Sequence, residues 1–201
     1  MKQTLKTAIL MTLFTSILLG IVYPLVVTGL AQVLFHDKAN GQLIVRDGEL
    51  IGSRIIGQSF SGPAYLHSRP SAAGKGYDAA NSAGTNLGPT NQKLIARVEA
   101  DAAALRAQNP ATPVPIDLVT TSASGLDPDI TPAAAEFQVG RIAQARGLSQ
   151  EQVRQIIARH SSGRQLGFLG EARVNVLEVN LALDNATKGD ATKEVNQKAA
   201  R

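Results

Sequence analysis

Cysteine and tryptophan are both absent from this 201-residue chain, and aromatic residues make up only 4% of it. Without cysteine there is no disulfide framework, no thiolate metal site, no iron–sulfur cluster and no thiol nucleophile. With so few rings there is little from which to build a base-stacking platform. An excess of one charge is lacking too: 20 Lys and Arg stand against 16 Asp and Glu, a formal balance of +4. Dispersed along the chain, that balance does not make a nucleic-acid-binding patch. What is present, 44% hydrophobic against 18% charged residues, suits a chain with a real core. The length suits one domain with an appendage.

The strongest signal is at the start. Thr7 to Phe35 carries no formal charge. A bilayer core about 30 Å thick needs roughly 20 helical residues, and Ala8 to Val27 supplies them. Backbone polar groups in lipid must be satisfied internally, so the segment is expected to be helical. Tyr23 and Pro24 near its far end mark a kink or an interfacial anchor. Three readings compete: an uncleaved anchor, a signal peptide with Lys2 and Lys6 as its basic region and Gly29-Leu30-Ala31 as its cleavage site, and a buried core helix. The apolar run exceeds a usual signal-peptide core of about 7–15 residues, which favours the anchor. Lys2 and Lys6 before the span, against mixed charges after it, tilt the orientation toward a cytoplasmic N-terminus and an extracytoplasmic body.

The rest of the chain mixes helix and strand without a βαβ rhythm. Gln42 to Arg46 and Glu49 to Gly52 flank Asp47-Gly48, a two-residue hairpin signal. Residues 61–92 form a long stretch rich in Gly, Ser, Ala and Asn, of the kind that is functional or packed on itself. A helix follows at 91–108, with Leu94, Val98, Ala102 and Leu105 in one stripe, stopped by Asn109-Pro110. Val114 to Thr120 reads as a strand. Thr131-Pro132 starts a helix that Gly147 ends, and Ser149 with Gln152 makes a capping box for the next. Arg173 to Leu183 alternates as a strand does. The expected fold class is α+β: a cytoplasmic N-terminus (1–7), one transmembrane helix (8–30), a single mixed α/β extracytoplasmic domain (36–184) and a polar, disordered tail (185–201).

Catalytic templates fail on spacing. Around Gly74-Lys75-Gly76, Arg69 stands where a phosphate-binding loop needs its first Gly, and Gly76 where it needs Ser or Thr. His36, His67 and His160 show no metal-ligand spacing. Residues 57–62 miss the nucleophile elbow by one position, and Ser71 with Lys75 misses Ser-x-x-Lys. Asp127 and Asp129 open like a calcium loop, but Gln138 stands where the bidentate Glu belongs.

Two stretches remain unusually specified. One runs from Tyr65 through Arg69 and Pro70 to Ala72 and on through Asn81 to Asn91. The other runs from Ser124 through Asp127 and Pro128 to Pro132. In one reading their polar residues satisfy loop backbone, and Arg69 makes a buried carboxylate pair. In the other they shape a docking surface for a partner or small ligand.

At these residues the chain resembles the C subunit of the Kdp-type potassium-transporting P-type ATPase of bacteria. The likeness runs from the span to Asp184. It is carried by Tyr65 to Ala72, Asn86 to Asn91, Leu126 to Pro132, Ala145 to Ser149 and Gly170 to Asp184, in order and at family spacing. The chain departs at Ser68, where the family has Gly, at Asp129, where it has His, and at Thr131, where it has Ser.

The resemblance implies a non-catalytic accessory subunit of an ATP-driven potassium uptake complex. Its partners would be a channel-like potassium-selective subunit, a P-type ATPase subunit, a small single-span subunit and membrane lipid, with no nucleic acid. The chain lacks the Asp-Lys-Thr-Gly phosphorylation motif, Asp37-Lys38-Ala39-Asn40 being no substitute. The family is described as a catalytic chaperone that raises the ATPase subunit's affinity for ATP, with a nucleotide-linked role for a glutamine after the Asp-Pro motif, here Gln138. No cofactor is expected to be bound firmly, ATP acting at the level of the complex. An extracytoplasmic body cannot touch cytoplasmic ATP, so coupling through the subunit interface is the simpler route. The expected partner interface comprises Thr12, Ser16 and Gly20, spaced by four along the span, with Tyr65, Arg69, Pro70, Asp127 and Pro128. The alternative is a membrane-anchored extracytoplasmic binding protein or hydrolase that uses residues 61–92 as its site.

Overall fold

A computed structural model describes residues 1–199, with side chains described through Thr187. The chain divides into two compact units, Met1–Ser53 and the residues from Arg54 on.

The first unit begins with one continuous helix, Lys2–Leu34, long and apolar enough to cross a bilayer. It comprises α1 (Lys2–Ile17), a π-helical turn at Leu18–Val22 and α2 (Tyr23–Leu34). Pro24 explains the turn. It has no N–H to give, and its ring crowds the carbonyl four residues back, at Gly20. Widening the ladder by one residue, with the Tyr23 N–H donating to the Leu18 carbonyl, absorbs that conflict without breaking the helix. A short helix, α3 (His36–Ala39), follows, and then a ribbon of β1 (Leu43–Arg46) and β2 (Glu49–Ser53). The strands are antiparallel, with a register shift between Ile44 and Val45. The Asp47-Gly48 turn is as the sequence predicts: both residues have positive φ, at 53° and 81°.

The second unit is built around α5 (Pro132–Arg146). It packs on α6 (Gln150–Arg159) and on β5 (Arg173–Asn175), and α7 (Val176–Ala199) packs on α6 and β5 in turn. A small antiparallel sheet runs in the order β3 (Asp129–Ile130), β5, β4 (Ser161–Ser162). Leu66, Ile130, Ile142, Val153, Val174 and Leu183 form the centre of the core.

The starts of α5 and α6 follow the predicted caps. Thr131 accepts from the Ala134 N–H at 3.2 Å, and buried Asp117 holds Thr131 in turn through its N–H at 2.7 Å and its hydroxyl at 3.1 Å. Ser149 and Gln152 bond reciprocally at 3.1 and 2.8 Å. Asn91 caps α4 (Gln92–Gln108) by accepting from the Lys93 N–H at 2.9 Å.

Two predicted strands are corrected. Val114 to Thr120 is irregular, with a single 3-10 turn at Ile116–Leu118. Arg173 to Leu183 is strand only to Asn175. There the Asn175 side chain accepts from the Glu178 N–H at 3.0 Å and starts α7. Val176, Val179, Asn180 and Leu183 are all buried, a spacing of three and four that belongs to a helix. β-Branched residues at alternate positions imitate a strand over so short a window. The backbone of α7 is helical as far as Ala199. The backbone of the segment expected to be a disordered tail (185–201) is thus helical through residue 199, while side chains from 188 on, and residues 200 and 201 outright, lie outside the described residues.

Ile142, fully buried on α5, sets the first prediction. Ile142→Ala lowers unfolding stability by roughly 2–5 kcal/mol, the cost of lost burial plus a residual cavity. Thermal unfolding of the full chain in detergent measures it, and a loss under about 1 kcal/mol would mean that the site collapses around the gap.

Candidate functional site

The segment Gly62–His67 opens with a turn at Gly62–Tyr65, closed by the Tyr65 N–H on the Gly62 carbonyl at 3.5 Å, and runs on into the Tyr65 to Ala72 block without pairing with a strand. Leu66 is completely buried, so the backbone beside it must find partners away from water. Side chains supply them. Asn180 of α7 takes both groups of Leu66, accepting from its N–H at 2.7 Å and donating to its carbonyl at 2.9 Å. Gln138 of α5 does the same for His67, accepting from its N–H at 2.8 Å and donating to its carbonyl at 3.1 Å. Two primary amides thus stand in for a neighbouring strand.

Two arginines from α5 continue the pattern. Arg141 donates to the carbonyls of Gly62, Pro63 and Tyr65 at 3.3, 2.7 and 3.0 Å. Arg146 donates to the Ala64 carbonyl at 2.5 Å, pairs with Asp184 at 2.8 Å and lies 4.9 Å above the Tyr65 ring. Every carbonyl from Gly62 to His67 therefore accepts a hydrogen bond from α5 or α7.

Gln138 is fully used in this arrangement. Its oxygen accepts from the His67 N–H and from Arg141 at 2.6 Å, while its nitrogen donates to the carbonyls of His67 and, at 3.2 Å, Ala134. A primary amide has two acceptor sites and two donors, so none is left over. It borders a cleft of about 610 Å³ between α5 and the end of α4, where Arg154 forks onto Glu136 at 2.7–3.1 Å.

A second knot lies further along the same segment. Arg69 pairs with Asp127 at 2.9 Å and donates twice to Thr120, once to its carbonyl and once to its hydroxyl, both at 3.3 Å. Tyr77 donates from its hydroxyl to the Arg69 carbonyl at 2.6 Å. The Ser71 hydroxyl donates to the Gly125 carbonyl at 2.6 Å and accepts the Tyr77 N–H. Gly125 has φ at 67°, and a Cβ there would lie 2.6 Å from the Ala73 nitrogen. The two stretches singled out in the sequence are thus bound to each other, and Arg69 and Asp127 are partners.

His67 has a depressed pKa. Burial is the main cause and the Arg141 guanidinium the second, against a bond to the Gly62 carbonyl that pulls the other way. The 2.7 Å contact of Nε2 with that carbonyl requires a proton on Nε2. Asp129 is shifted upward, chiefly by burial, against hydrogen bonding from Asn175 and the 3.0 Å pair with Arg173. The carboxylate that stands where the resembled family has an imidazole is therefore held by β5.

Of the expected interface residues, Arg69 and Asp127 are drawn together in the second unit, Tyr65 lies beneath Arg146, Pro128 accepts from the Val176 N–H, and Thr12, Ser16 and Gly20 lie exposed on the long helix of the first. Sequence reasoning missed Arg141, Arg146 and Asn180. Arg146 and Asn180 both fall in the quoted blocks, but a strand register for 173–183 hides that Asn180 and Leu183 share the buried face of a helix. Among the described residues no group of three or more His, Asp and Glu is placed to hold a metal ion.

A family model described as "K+-transporting ATPase, c chain" matches residues 5–185. A protein of Koribacter versatilis, named Potassium-transporting ATPase KdpC subunit, is 66% identical over 184 residues, which covers 92% of this chain and 95% of that protein. Proteins of the same name from Acidobacterium capsulatum and Caulobacter vibrioides are 61% and 57% identical, across 90% and 87% of this chain and 97% and 88% of their own.

Two predictions follow from the geometry. Asn180→Leu keeps the bulk but strands the Leu66 N–H and carbonyl; at about 1–3 kcal/mol for each buried unsatisfied group, thermal unfolding should register a loss of several kcal/mol, and a near-neutral result would mean that the segment detaches freely. For His67 the folded pKa lies below the unfolded 6.5, so the unfolded state binds more protons between the two values. Its contribution is complete above pH 6.5 and is lost as pH falls through that window. Replacing His67 with Gln, which can still donate to Gly62, should flatten the decline in stability from pH 7 to 5, read from melting temperatures across that range; an unchanged slope would assign the titration to another group.

Proposed function

The chain belongs to the K+-transporting ATPase c chain family, and from that premise we propose that it is a non-catalytic accessory subunit of an ATP-driven potassium uptake complex. Its helix anchors it among the spans of a channel-like potassium-selective subunit, a P-type ATPase subunit and a small single-span subunit. Its second unit lies on the extracytoplasmic face. It stabilises the assembly and raises the ATPase subunit's affinity for ATP from a distance.

The observation that carries this reading is the commitment of Gln138. With both donors and both acceptors used inside the chain, its side chain is poorly suited to hold a nucleotide and well suited to hold a segment. An effect of Gln138 on ATP affinity then runs through the shape of the 62–70 segment and the interface it presents, as a coupling free energy between sites. The same commitment of backbone argues against the 61–92 stretch as the pocket of a free-standing binding protein or hydrolase, which needs convergent polar groups left open to a ligand.

The test compares two residues that hold one segment from different helices. Gln138→Leu and Asn180→Leu are each assembled into the whole complex, and the KM for ATP is measured. Indirect coupling predicts that both raise it, by roughly fivefold or more if the coupling is of typical size. A rise for Gln138→Leu with Asn180→Leu unchanged would point to direct contact with nucleotide. For the anchor, Gly20→Leu places bulk on the face shared with Thr12 and Ser16, where Gly20 now has open space. The yield of complex recovered with this chain in mild detergent should drop several-fold, and an undiminished yield would remove that face from the interface.

A further inference from the structure

The ribbon β1–β2 raises a separate question. A two-stranded ribbon is marginal in water without something covering one face. Val45 lies opposite Leu50, with Leu43 two residues along on the same face. These three are 61%, 62% and 53% exposed, while Ile44 on the other side is half-buried, as is Ile51, the extra residue of the register shift. The ribbon thus presents a bare apolar face.

Its position relative to the long helix is fixed within the first unit. The side-chain amides of Gln32 and Asn40 bond in both directions, at 3.2 and 3.1 Å. Asn40 is therefore folded back beside the last turn of α2, whose final residue is Leu34. Leu43 is three residues further on, a reach of at most about 11 Å. Between them Phe35 is 58% exposed, with the Lys38 ammonium 6.0 Å from its ring centroid. A lysine at the end of an apolar span can lay its stem along apolar surface and keep its charge in water at the boundary of a bilayer. If the helix spans, the ribbon starts at headgroup depth.

We propose that the ribbon Leu43–Ser53 lies on the membrane surface with Leu43, Val45 and Leu50 entering the boundary between lipid headgroups and acyl chains, a second attachment beside the span. The inference rests on the membrane-anchored reading of Lys2–Leu34. Lipid is favoured as the cover because the Gln32–Asn40 bonds and the short connection keep the start of the ribbon beside the last turn of the apolar helix. The charges at the ribbon's turn, Arg46, Asp47 and Glu49, are of mixed sign, so the attachment is apolar and indifferent to anionic lipid.

The absence of native cysteine makes the test direct. Leu43→Cys, Val45→Cys and Leu50→Cys are each labelled with an environment-sensitive fluorophore. The full chain is placed in vesicles of phosphatidylcholine, with or without phosphatidylglycerol, and Leu13→Cys serves as the label inside the span. The expected result is that brominated-chain phosphatidylcholine quenches all three ribbon labels. Iodide in the buffer should quench them several-fold less than free dye, with or without phosphatidylglycerol. Ribbon labels that iodide reaches and brominated lipid does not, with the Leu13 label quenched by lipid, overturn the proposal and leave the anchor standing. Shielding from both quenchers, whether in the isolated chain or only once the rest of the complex is present, assigns the face to protein and also overturns it. A Leu13 label that escapes lipid removes the anchor itself.

Discussion

A buried peptide group must be hydrogen-bonded, and the second unit is organised by how it meets that demand for one segment. Gly62–His67 enters the core at Leu66 with no strand to pair with. Unpaired, each buried backbone group would cost about 1–3 kcal/mol, enough in sum to cancel the stability of an ordinary domain. The chain answers with side chains from two helices: Gln138, Arg141 and Arg146 on α5, and Asn180 on α7. This fixes the register of α5 against α7 as well, because Leu66 and His67 are adjacent and their two amides must arrive side by side. The Arg146–Asp184 pair then closes α5 onto α7 directly, with the arginine side chain only 6% exposed.

Much of the second unit leans on that arrangement. The same segment continues to Arg69, whose guanidinium draws in Asp127 and Thr120, and through Tyr77 and Ser71 the long Gly- and Ser-rich stretch is folded onto the loop before β3. The stretch has little regular structure and yet is closely specified, because polar side chains rather than a ladder give it shape. A substitution at one of these residues should therefore act on the whole presented surface. Under the proposed accessory reading, such a surface is what a partner subunit would read, with no reacting group required.

The local elements were legible in the sequence wherever one residue type answers one local need. Thr131 with Pro132, Ser149 with Gln152, Gly147 and Asp47-Gly48 each mark a terminus or turn by their own chemistry, and all appear where the spacing puts them. The apolar run of Lys2–Leu34 is legible for the same reason, although the π-helical turn before Pro24 is a detail that only hydrogen-bond geometry displays. The candidate site was half legible. Arg69 stood out as one half of a carboxylate pair and Asp127 as an interface residue, but nothing in the sequence matched them to each other, and their partner Thr120 lay in a segment read as strand. Asn180 was hidden by its neighbours, since Val174, Val176 and Val179 suggest a strand until the cap at Asn175 is seen. Long-range bonds such as Leu66 to Asn180 leave no periodic trace in one sequence, which is why the block likeness pointed to the right residues without giving their roles.

The central claim is that residues 62–67 are held as firmly as a strand by side chains alone, and amide hydrogen exchange tests it most directly. In the full chain, the Leu66 and His67 N–H groups should exchange as slowly as the interior amides of α5, because releasing either requires opening the core. Exchange of these two amides at the rate of an exposed loop, with α5 still protected, would contradict the account.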